Sequence, residues 1–182
     1  YFYDVEDKLT RVKAPEGNEV HYQYDVYDLN TGITVGYGTS GAATTKYYYD
    51  ADFRLTKTEQ PLGANWKTEY FYDHHDRLTK TKNAAGHYVL SAFGSDHLVD
   101  TVSSSQSDDT LLTQVKTYYD SANRITKTEA MAKDDTGADI GDGWVTSEIE
   151  YDAAGRVTKR LDENSQATLY TYDKDEKGVA SN

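Results

Sequence analysis

The most regularly repeated charged group in the sequence is an aspartate directly behind a tyrosine. We assign these pairs to successive units: Tyr3-Asp4, Tyr27-Asp28, Tyr49-Asp50, Tyr72-Asp73, Tyr119-Asp120, Tyr151-Asp152 and Tyr172-Asp173. A row of carboxylates can bind cations. An Asp at a turn can also accept hydrogen bonds from backbone N–H groups and pair with a basic residue shortly after it. Because the carboxylate recurs in every unit, we predict a structural role in the turns.

A second group of oxygen ligands lies between residues 134 and 143. Asp135, Asp139 and Asp142 are its weak candidates for a metal site. The segment lacks the alternating Asp spacing and the closing Glu of a calcium-binding EF-hand loop. The favoured interpretation is a solvated insertion between two strands, near residues 130–145, with no metal bound.

Two tryptophans, Trp66 and Trp144, are the candidates for ligand binding. Together with exposed tyrosines they could stack against sugar rings, as in the aromatic repeats of some surface proteins. The alternative, which we favour, is that each Trp covers a sheet face or plugs the end of a shell.

Nothing in the sequence has the spacing of a catalytic site. No Ser, His and Asp grouping resembles a nucleophile triad, and Gly36-Tyr37-Gly38 lacks the Lys and the helix of a phosphate-binding loop. The chain has no cysteine, which excludes a Cys nucleophile and a thiolate metal site. His74 and His75 are expected to point apart. We therefore predict that the chain is not an enzyme and needs no cofactor.

Composition limits the partners. The chain has 182 residues and a net charge of −12, which argues against binding to nucleic acid or an anionic membrane surface. No apolar run approaches the roughly 18 residues of a membrane span. Leu, Ile, Val and Phe make up only 17% of the residues, whereas 17 residues are Tyr. These numbers predict an ordered protein with a thin aliphatic core.

The match between units extends well past the Tyr-Asp pair. A basic residue stands five positions after the Tyr, at Lys8, Arg54, Arg77, Arg124 and Arg156. A Thr stands two positions later, at Thr10, Thr56, Thr79, Thr126 and Thr158. Glycines that include Gly17, Gly63 and Gly86 follow in a second turn. Tyr24-Asp25 competes with Tyr27-Asp28 for one unit, and we choose Tyr27 because counting from it restores the downstream pattern.

Each unit reads as two strands and two turns, which predicts an all-β antiparallel sheet that advances by one hairpin per unit. The fourth residue after the Tyr is typically one that tolerates a left-handed backbone, as at Asp7, Asp76, Asn123 and Gly155. Phe53 and Thr31 depart from this, so their turns are expected to be less regular. Tyr rings of neighbouring hairpins are expected to form ladders, with their hydroxyls facing water.

About seven or eight units of 21–25 residues fill residues 1–182 as a single array. The unit near residues 87–118 is degenerate, because Phe93-Gly94 replaces Tyr-Asp. Residues 103–109 are expected to form a polar, mobile loop. We expect the chain to be part of a longer polypeptide, and its free sheet edges to favour self-association.

The pattern Tyr-x-Tyr-Asp, three residues, Arg-Leu-Thr-Lys and a turn with Gly resembles the RHS or YD-repeat family. Residues 47–63 carry the best match, and Tyr151, Asp152, Gly155 and Arg156 match its first half. The family includes bacterial Rhs polymorphic toxins, wall-associated proteins, Tc toxin complexes and teneurins. The resemblance implies a strip of a spiralling β-sheet shell. No segment matches the family's self-cleaving aspartates, so no catalytic residue is carried over.

The resemblance also implies a role and partners. The role is that of a non-catalytic shell segment of a secreted or surface-displayed bacterial protein, which encapsulates or displays a C-terminal toxin or effector domain. Its partners would be the rest of its own repeat shell and that enclosed domain. The alternative is a cell-surface module that binds carbohydrate or a receptor through exposed Tyr and Trp.

Overall fold

A computed structural model describes residues 1–63, 65–174 and 180–181, with side chains up to residue 172. The side chain of Asp173 therefore lies outside the described residues. Within these ranges the regular elements are all strands, and no helix is long and apolar enough to cross a membrane. The strands are β1 (Phe2–Tyr3), β2 (Leu9–Lys13), β3 (Glu19–Tyr24), β4 (Asn30–Val35), β5 (Ala43–Tyr49), β6 (Leu55–Glu59), β7 (Lys67–Tyr72), β8 (Leu78–Asn83), β9 (Tyr88–Phe93), β10 (Val99–Ser105), β11 (Leu111–Tyr119), β12 (Ile125–Lys133), β13 (Asp139–Tyr151), β14 (Val157–Leu161), β15 (Ala167–Leu169), β16 (Asp173–Lys174) and β17 (Ala180–Ser181).

The strands pair antiparallel in chain order. Strands β1 to β15 follow one another in a 15-stranded sheet, and β16 pairs with β17. Two compact units divide the chain: residues 1–89 with 106–108, and residues 90–105 with 109–182. In the first unit β1 to β8 are consecutive neighbours, and in the second β10 to β15 are. The predicted all-β sheet built from consecutive hairpins is confirmed.

A β-bulge explains why Thr recurs in the units. Tyr48 lies opposite Lys57 and Tyr49 lies opposite Leu55, so Thr56 is the additional residue on its strand. The Thr56 hydroxyl donates a 3.2 Å hydrogen bond to the backbone carbonyl of Tyr48. Equivalent register shifts leave the same extra residue at Thr10, Thr31, Thr79, Thr126 and Thr158.

The turn before each bulged strand passes through a left-handed residue. Asp7, Asp76, Asn123 and Gly155 have φ values of 61°, 62°, 61° and 83°, as predicted. Phe53 has a φ of 62°, so its turn adopts the same conformation, and the expectation of a less regular turn there is wrong. The backbone at Phe53 is locally strained, because a residue with a bulky side chain disfavours the left-handed region.

In the second turn, Gly63 and Gly86 also have positive φ values, of 97° and 89°. A Cβ atom on Gly86 would lie 2.8 Å from the Cβ of Ser107, so glycine is required there by space as well as by backbone conformation.

The unit that we assigned to Tyr27-Asp28 belongs to Tyr24-Asp25. Tyr24 ends β3 at the bulge, and the Asp25 carboxylate accepts the backbone N–H groups of Tyr27 and Leu29 at 2.9 and 3.0 Å. Asp28 is the left-handed residue, with a φ of 66°. Tyr27 therefore lies within the turn, and Thr31 is the bulge residue rather than a departure from the turn pattern. Counting from Tyr27 failed because two Tyr-Asp pairs three residues apart both fit a pattern defined only by spacing.

Burial is low throughout the described residues. None of their hydrophobic side chains is fully buried, and Thr34, Thr58, Ser103 and Ser105 are the buried polar ones. A single-layer sheet leaves both of its faces accessible, so the thin aliphatic core that composition predicted is not found among the residues with described side chains. Ser103 and Ser105 belong to β10, which corrects the prediction of a polar loop beginning at residue 103.

The expected solvated insertion near residues 130–145 is an extension of a hairpin. Strands β12 and β13 continue through most of it and pair from Lys127↔Glu148 to Lys133↔Asp139. The turn between them repeats the Asp-based geometry of the other units, because Asp134 accepts the N–H groups of Thr136 and Ala138 at 2.8 and 3.0 Å. The register shifts between Met131 and Lys133, so residues 140–143 bulge out of the ladder, and residues 133–142 are exposed as the prediction of a solvated segment requires.

Candidate functional site

In six units a tyrosine hydroxyl joins the hairpin to the one before it, whereas Phe93 of the degenerate unit has no hydroxyl. The donor is the Tyr of the Tyr-Asp pair, and the acceptor is a backbone carbonyl oxygen six residues after the equivalent position of the preceding unit. These hydrogen bonds run from Tyr24 to Leu9 (3.0 Å), Tyr49 to Asn30 (2.9 Å), Tyr72 to Leu55 (2.9 Å), Tyr119 to Val99 (3.0 Å), Tyr151 to Ile125 (2.8 Å) and Tyr172 to Val157 (2.8 Å). The prediction that these hydroxyls face water is wrong, because the carbonyl groups at the bulge need a donor.

The aspartate of the pair organises its own turn with both oxygens. Asp73 Oδ1 accepts the backbone N–H groups of His75 (2.8 Å) and Arg77 (3.1 Å). Asp73 Oδ2 accepts the Nε and Nη2 groups of Arg77 at 2.8 and 2.7 Å. The Arg77 guanidinium and these backbone donors hold the pKa of Asp73 well below its usual value. The same bidentate pair occurs at Asp50–Arg54, Asp120–Arg124 and Asp152–Arg156.

The arginine of one unit lies over the tyrosine of the next. The Arg54 guanidinium carbon is 5.1 Å from the ring centroid of Tyr72, Arg124 is 4.5 Å from Tyr151, and Arg156 is 4.6 Å from Tyr172. These are cation–π contacts. The ring pairs seen among the described residues include no Tyr–Tyr contact, so the predicted tyrosine ladder is a ladder of alternating guanidinium and phenol groups.

We call this arrangement of Asp, Arg, the next Tyr and the carbonyl that accepts its hydroxyl a stitch. In a stitch the Asp accepts the backbone N–H groups of its turn and pairs with the Arg, the Arg covers the ring of the next Tyr, and that Tyr donates to a backbone carbonyl. All of these groups come from two consecutive units. The sequence showed the residues of the stitch but not the connection between them, which spans about 20 residues. In this arrangement the carboxylate, the guanidinium and the phenol hydroxyl are each engaged by a partner within the array.

The opposite sheet face carries a different three-residue cluster. Tyr48 donates its hydroxyl to Glu59 at 2.7 Å, and Lys57 lies 2.8 Å from Glu59 and 3.7 Å from the Tyr48 ring centroid. The hydrogen bond to Glu59 raises the pKa of Tyr48, while Lys57 and Tyr48 together lower the pKa of Glu59. The same cluster occurs in the second compact unit, where it is formed by Tyr118, Lys127 and Glu129.

The structure places the two tryptophans in different environments. Trp144 is half-buried beneath Lys116, whose Nζ lies 3.9 Å from the ring centroid, so one ring face is already covered. Trp66 is 58% exposed and lines a cleft of about 380 Å³ with Gln60, Asn65 and Asn83. Trp66 and Trp144 belong to different compact units.

Two of the three weak metal candidates, Asp139 and Asp142, are engaged elsewhere, and no partner of Asp135 is seen among the described residues. Asp139 pairs with Lys133 at 3.0 Å, and Asp142 accepts the backbone N–H of Trp144 at 3.0 Å. Over the residues with described side chains, no group of three or more His, Asp or Glu side chains is placed to hold a metal ion. His74 and His75 do not point apart as expected, because their ring centroids are 3.8 Å apart.

A cleft that the sequence did not reveal lies between the turns of the Tyr24 and Tyr49 units. Tyr27 and Phe53 are exposed on these turns, and their ring centroids are 5.2 Å apart in an edge-on arrangement. The available signal was Leu29, the apolar residue at the position that is basic in the other Tyr-Asp units. Assigning the unit to Tyr27 moved Leu29 out of that position and hid the signal.

The fold has a counterpart among solved structures. No protein-family model and no curated protein matches the chain. A chain of the Photorhabdus luminescens Tc holotoxin pore aligns with 92% of this chain at a TM-score of 0.66 and 16% sequence identity. Chains of TcdB2-TccC3-TEV, and of TcdB2-TccC3 without the hypervariable C-terminal region, align at TM-scores of 0.34, with 11% and 12% identity over 98% and 95% of this chain.

The chain spans only a small part of these proteins: 9% of the holotoxin chain and 14% of each of the other two. The holotoxin match therefore supports a shared architecture. Together with the repeated Tyr-Asp hairpins, which resemble the RHS/YD repeat, it shows that this chain shares the fold of a part of that Tc holotoxin chain.

Proposed function

We propose that this chain is a non-catalytic wall segment of an RHS/YD-type shell from a secreted or surface-displayed bacterial protein. In this role the hairpins form part of a barrier around a C-terminal toxin or effector domain of the same polypeptide. The observation that carries the proposal is the stitch, which recurs between consecutive hairpins and ties the sheet together within its own plane.

A wall has requirements that differ from those of a globular core. It must be one layer thick, extend by adding identical units, and hold its register without packing against a second layer. Strand pairing and the stitch meet these requirements, because each stitch couples nearest neighbours only, as in other repeat architectures. The lack of a fully buried hydrophobic side chain among the described residues also supports a wall that is one layer thick.

The distribution of charge also supports a structural role. Four of the turn aspartates are neutralised by a bidentate arginine in their own unit. Each of these pairs adds nothing to the net charge, so the −12 of the chain comes from acidic residues outside them. These ion pairs fix turn geometry and leave the carboxylates poorly placed for chemistry.

Protease protection in the parent polypeptide tests this proposal. We expect the domain that follows the repeats to resist an added protease while the wall is intact. It should become sensitive when stitches are broken by Tyr72→Phe combined with Tyr151→Phe. A parent polypeptide with no domain beyond the repeats, or a domain cleaved equally fast in both forms, would overturn the enclosing role.

A second candidate function is carbohydrate or receptor binding, and Trp66 is the observation that favours it. Its exposed indole shares an open cleft with three side-chain amides, a combination that suits stacking and hydrogen bonding to a sugar. A glycan array with Trp66→Ala tests it, and Trp144→Ala serves as the matched control because Lys116 already covers Trp144. Absence of binding by the intact chain would reject this function.

A further inference from the structure

One stitch differs from the others in composition. The Tyr24 unit keeps its aspartate, Asp25, but the fifth residue after the tyrosine is Leu29. The other Tyr-Asp units in the described part of the array have a basic residue there: Lys8, Arg54, Arg77, Arg124 and Arg156. This unit therefore has no basic residue at the position that lies between the aspartate and the tyrosine of the next unit, here Asp25 and Tyr49.

The rest of that stitch is intact. Asp25 Oδ1 accepts the N–H groups of Tyr27 and Leu29, as in the other turns. The Tyr49 hydroxyl donates to the Asn30 carbonyl at 2.9 Å. Across the described residues, no cation pairs with Asp25 Oδ2 and none lies over the Tyr49 ring. Burial, the neighbouring Tyr47 and the negative charge of Asp25 raise the pKa of Tyr49, and both Asp25 and Tyr49 line one cleft.

That space is a cleft of about 390 Å³, lined in part by Asp25, Leu29, Tyr47 and Tyr49. An equivalent cleft lies between the Tyr119 and Tyr151 units, where Asp120, Arg124 and Tyr151 form its lining. In that cleft the arginine side chain of the unit is present. The space between two units can therefore accommodate a guanidinium group.

Two aromatic residues outside the repeat pattern border the cleft. Tyr27 is 67% exposed and Phe53 is 53% exposed. Phe53 adopts the left-handed conformation that Asp, Asn or Gly provides in equivalent turns, so the ring is placed there at a cost in backbone strain.

Asn30, between the lining residues Leu29 and Thr31, has a buried side-chain oxygen without a hydrogen-bond partner, where other units have an apolar residue.

We propose that this cleft binds a guanidinium group from outside the array, either an arginine side chain of another polypeptide segment or a small guanidinium compound. The group pairs with Asp25 Oδ2 and stacks on Tyr49, as Arg124 does with Asp120 and Tyr151 in their cleft. Tyr27 and Phe53 enclose its exposed side. The net charge of −12 favours the approach of a cation. This site is independent of the proposed enclosing function.

NMR titration of the chain tests the proposal, with N-acetyl-arginine amide as the probe. We expect saturable shifts of the Tyr49 and Tyr27 ring signals, with a dissociation constant near 1 mM, as is typical of a single small contact. N-acetyl-lysine amide should bind at least fivefold more weakly, because it cannot stack or pair in a bidentate manner. An arginine-containing pentapeptide distinguishes the sources: tighter binding by the peptide indicates a polypeptide segment, and equal binding indicates a small compound.

Leu29→Arg is the decisive variant, because it places a guanidinium of the chain in the cleft. We expect it to weaken binding of the probe at least tenfold. Leu62→Arg, which adds the same charge at an exposed turn position, should leave binding unchanged. If Leu29→Arg fails to fold, Tyr27→Ala combined with Phe53→Asn should weaken binding at least threefold. Equal loss in Leu29→Arg and Leu62→Arg, equal binding of the lysine probe, or unshifted Tyr49 signals would overturn the proposal.

Discussion

The hydroxyl of Tyr72 donates a 2.9 Å hydrogen bond to the backbone carbonyl of Leu55, in the preceding hairpin. The regular pairing of β6 with β7 ends at Lys57 and Glu69, so this carbonyl lies beyond the last backbone hydrogen bond of the ladder. The tyrosine hydroxyl thus extends the connection between two hairpins to the edge of the sheet. Because the Arg54 guanidinium lies over the same ring, one side chain links strand pairing to turn geometry.

Replacing Tyr72 by Phe should lower the free energy of unfolding by about 1 kcal/mol, because the Leu55 carbonyl loses its donor. Urea denaturation followed by circular dichroism measures this change. Tyr70→Phe is the matched control, since Tyr70 lies on the same strand and no hydrogen bond of its hydroxyl is seen among the described residues. Equal destabilisation by the two variants would show that the inter-hairpin bond contributes nothing specific.

Replacing Phe53 by Asn should raise the free energy of unfolding by about 0.5–1 kcal/mol. Asn tolerates the left-handed conformation that Phe53 adopts at a φ of 62°. Thermal denaturation measures the change, with Ala51→Asn in the same turn as the control because Ala51 has no positive φ. A fall in stability would mean that the edge-on contact with Tyr27 outweighs the backbone strain.

Replacing Thr56 by Val should lower the free energy of unfolding by about 0.5–1.5 kcal/mol. The shape is kept, but the bulge loses its hydrogen bond to the Tyr48 carbonyl. Thr58→Val is the control on the same strand, because no hydrogen bond of the Thr58 hydroxyl is seen among the described residues. Chemical denaturation of both variants separates the two positions, and an unchanged Thr56→Val would contradict a stabilising role for the bulge hydroxyl.

Acid should destabilise the fold through the turn aspartates. The pKa of Asp120 is lowered by Arg124 and by backbone donors, from a usual value of 3.8. A carboxyl with a lowered folded pKa stabilises the protein fully above its unfolded pKa, and the effect is lost as pH falls further. We therefore expect melting temperatures to be level near neutral pH and to drop below about pH 4.

Arg124→Gln isolates the part of this acid response that one pair contributes. It removes the main cause of the Asp120 shift, so the decline in melting temperature below pH 4 should become shallower than in the original chain. A carboxyl titration by NMR should place the Asp120 pKa closer to 3.8 in the variant. An identical pH dependence in both proteins would show that the pair does not couple folding to protonation.

The chain on its own should self-associate through its sheet edges. Strand β15 (Ala167–Leu169) is an outer strand of the 15-stranded sheet and is exposed along its length. Unpaired strand groups invite a second chain. Light scattering after size-exclusion chromatography should show a mass that increases with concentration, and Thr168→Lys should reduce the increase. A constant monomer mass over a wide concentration range would contradict the prediction.

The sequence alone determined the all-β hairpin architecture and the turns of the regular units. A Tyr-Asp pair followed by a residue that tolerates a left-handed backbone and then by alternating polar and β-branched residues describes a hairpin, because these preferences act within a few residues. For the same reason the position of Asp76 or Asn123 could be predicted to have a positive φ. The antiparallel order followed from the short distance between successive strands.

The tertiary structure decided how one hairpin meets the next. Arg54 and Tyr72 are 18 positions apart, and their contact depends on the register between β6 and β7, which the pattern within one unit does not specify. The choice between Tyr24 and Tyr27 was settled in the same way, since only the bulge and the hydrogen bond to Leu9 distinguish two pairs with the same local spacing. Local preferences act along the chain, whereas the stitch and the Asp25 cleft arise from side chains of different units brought side by side.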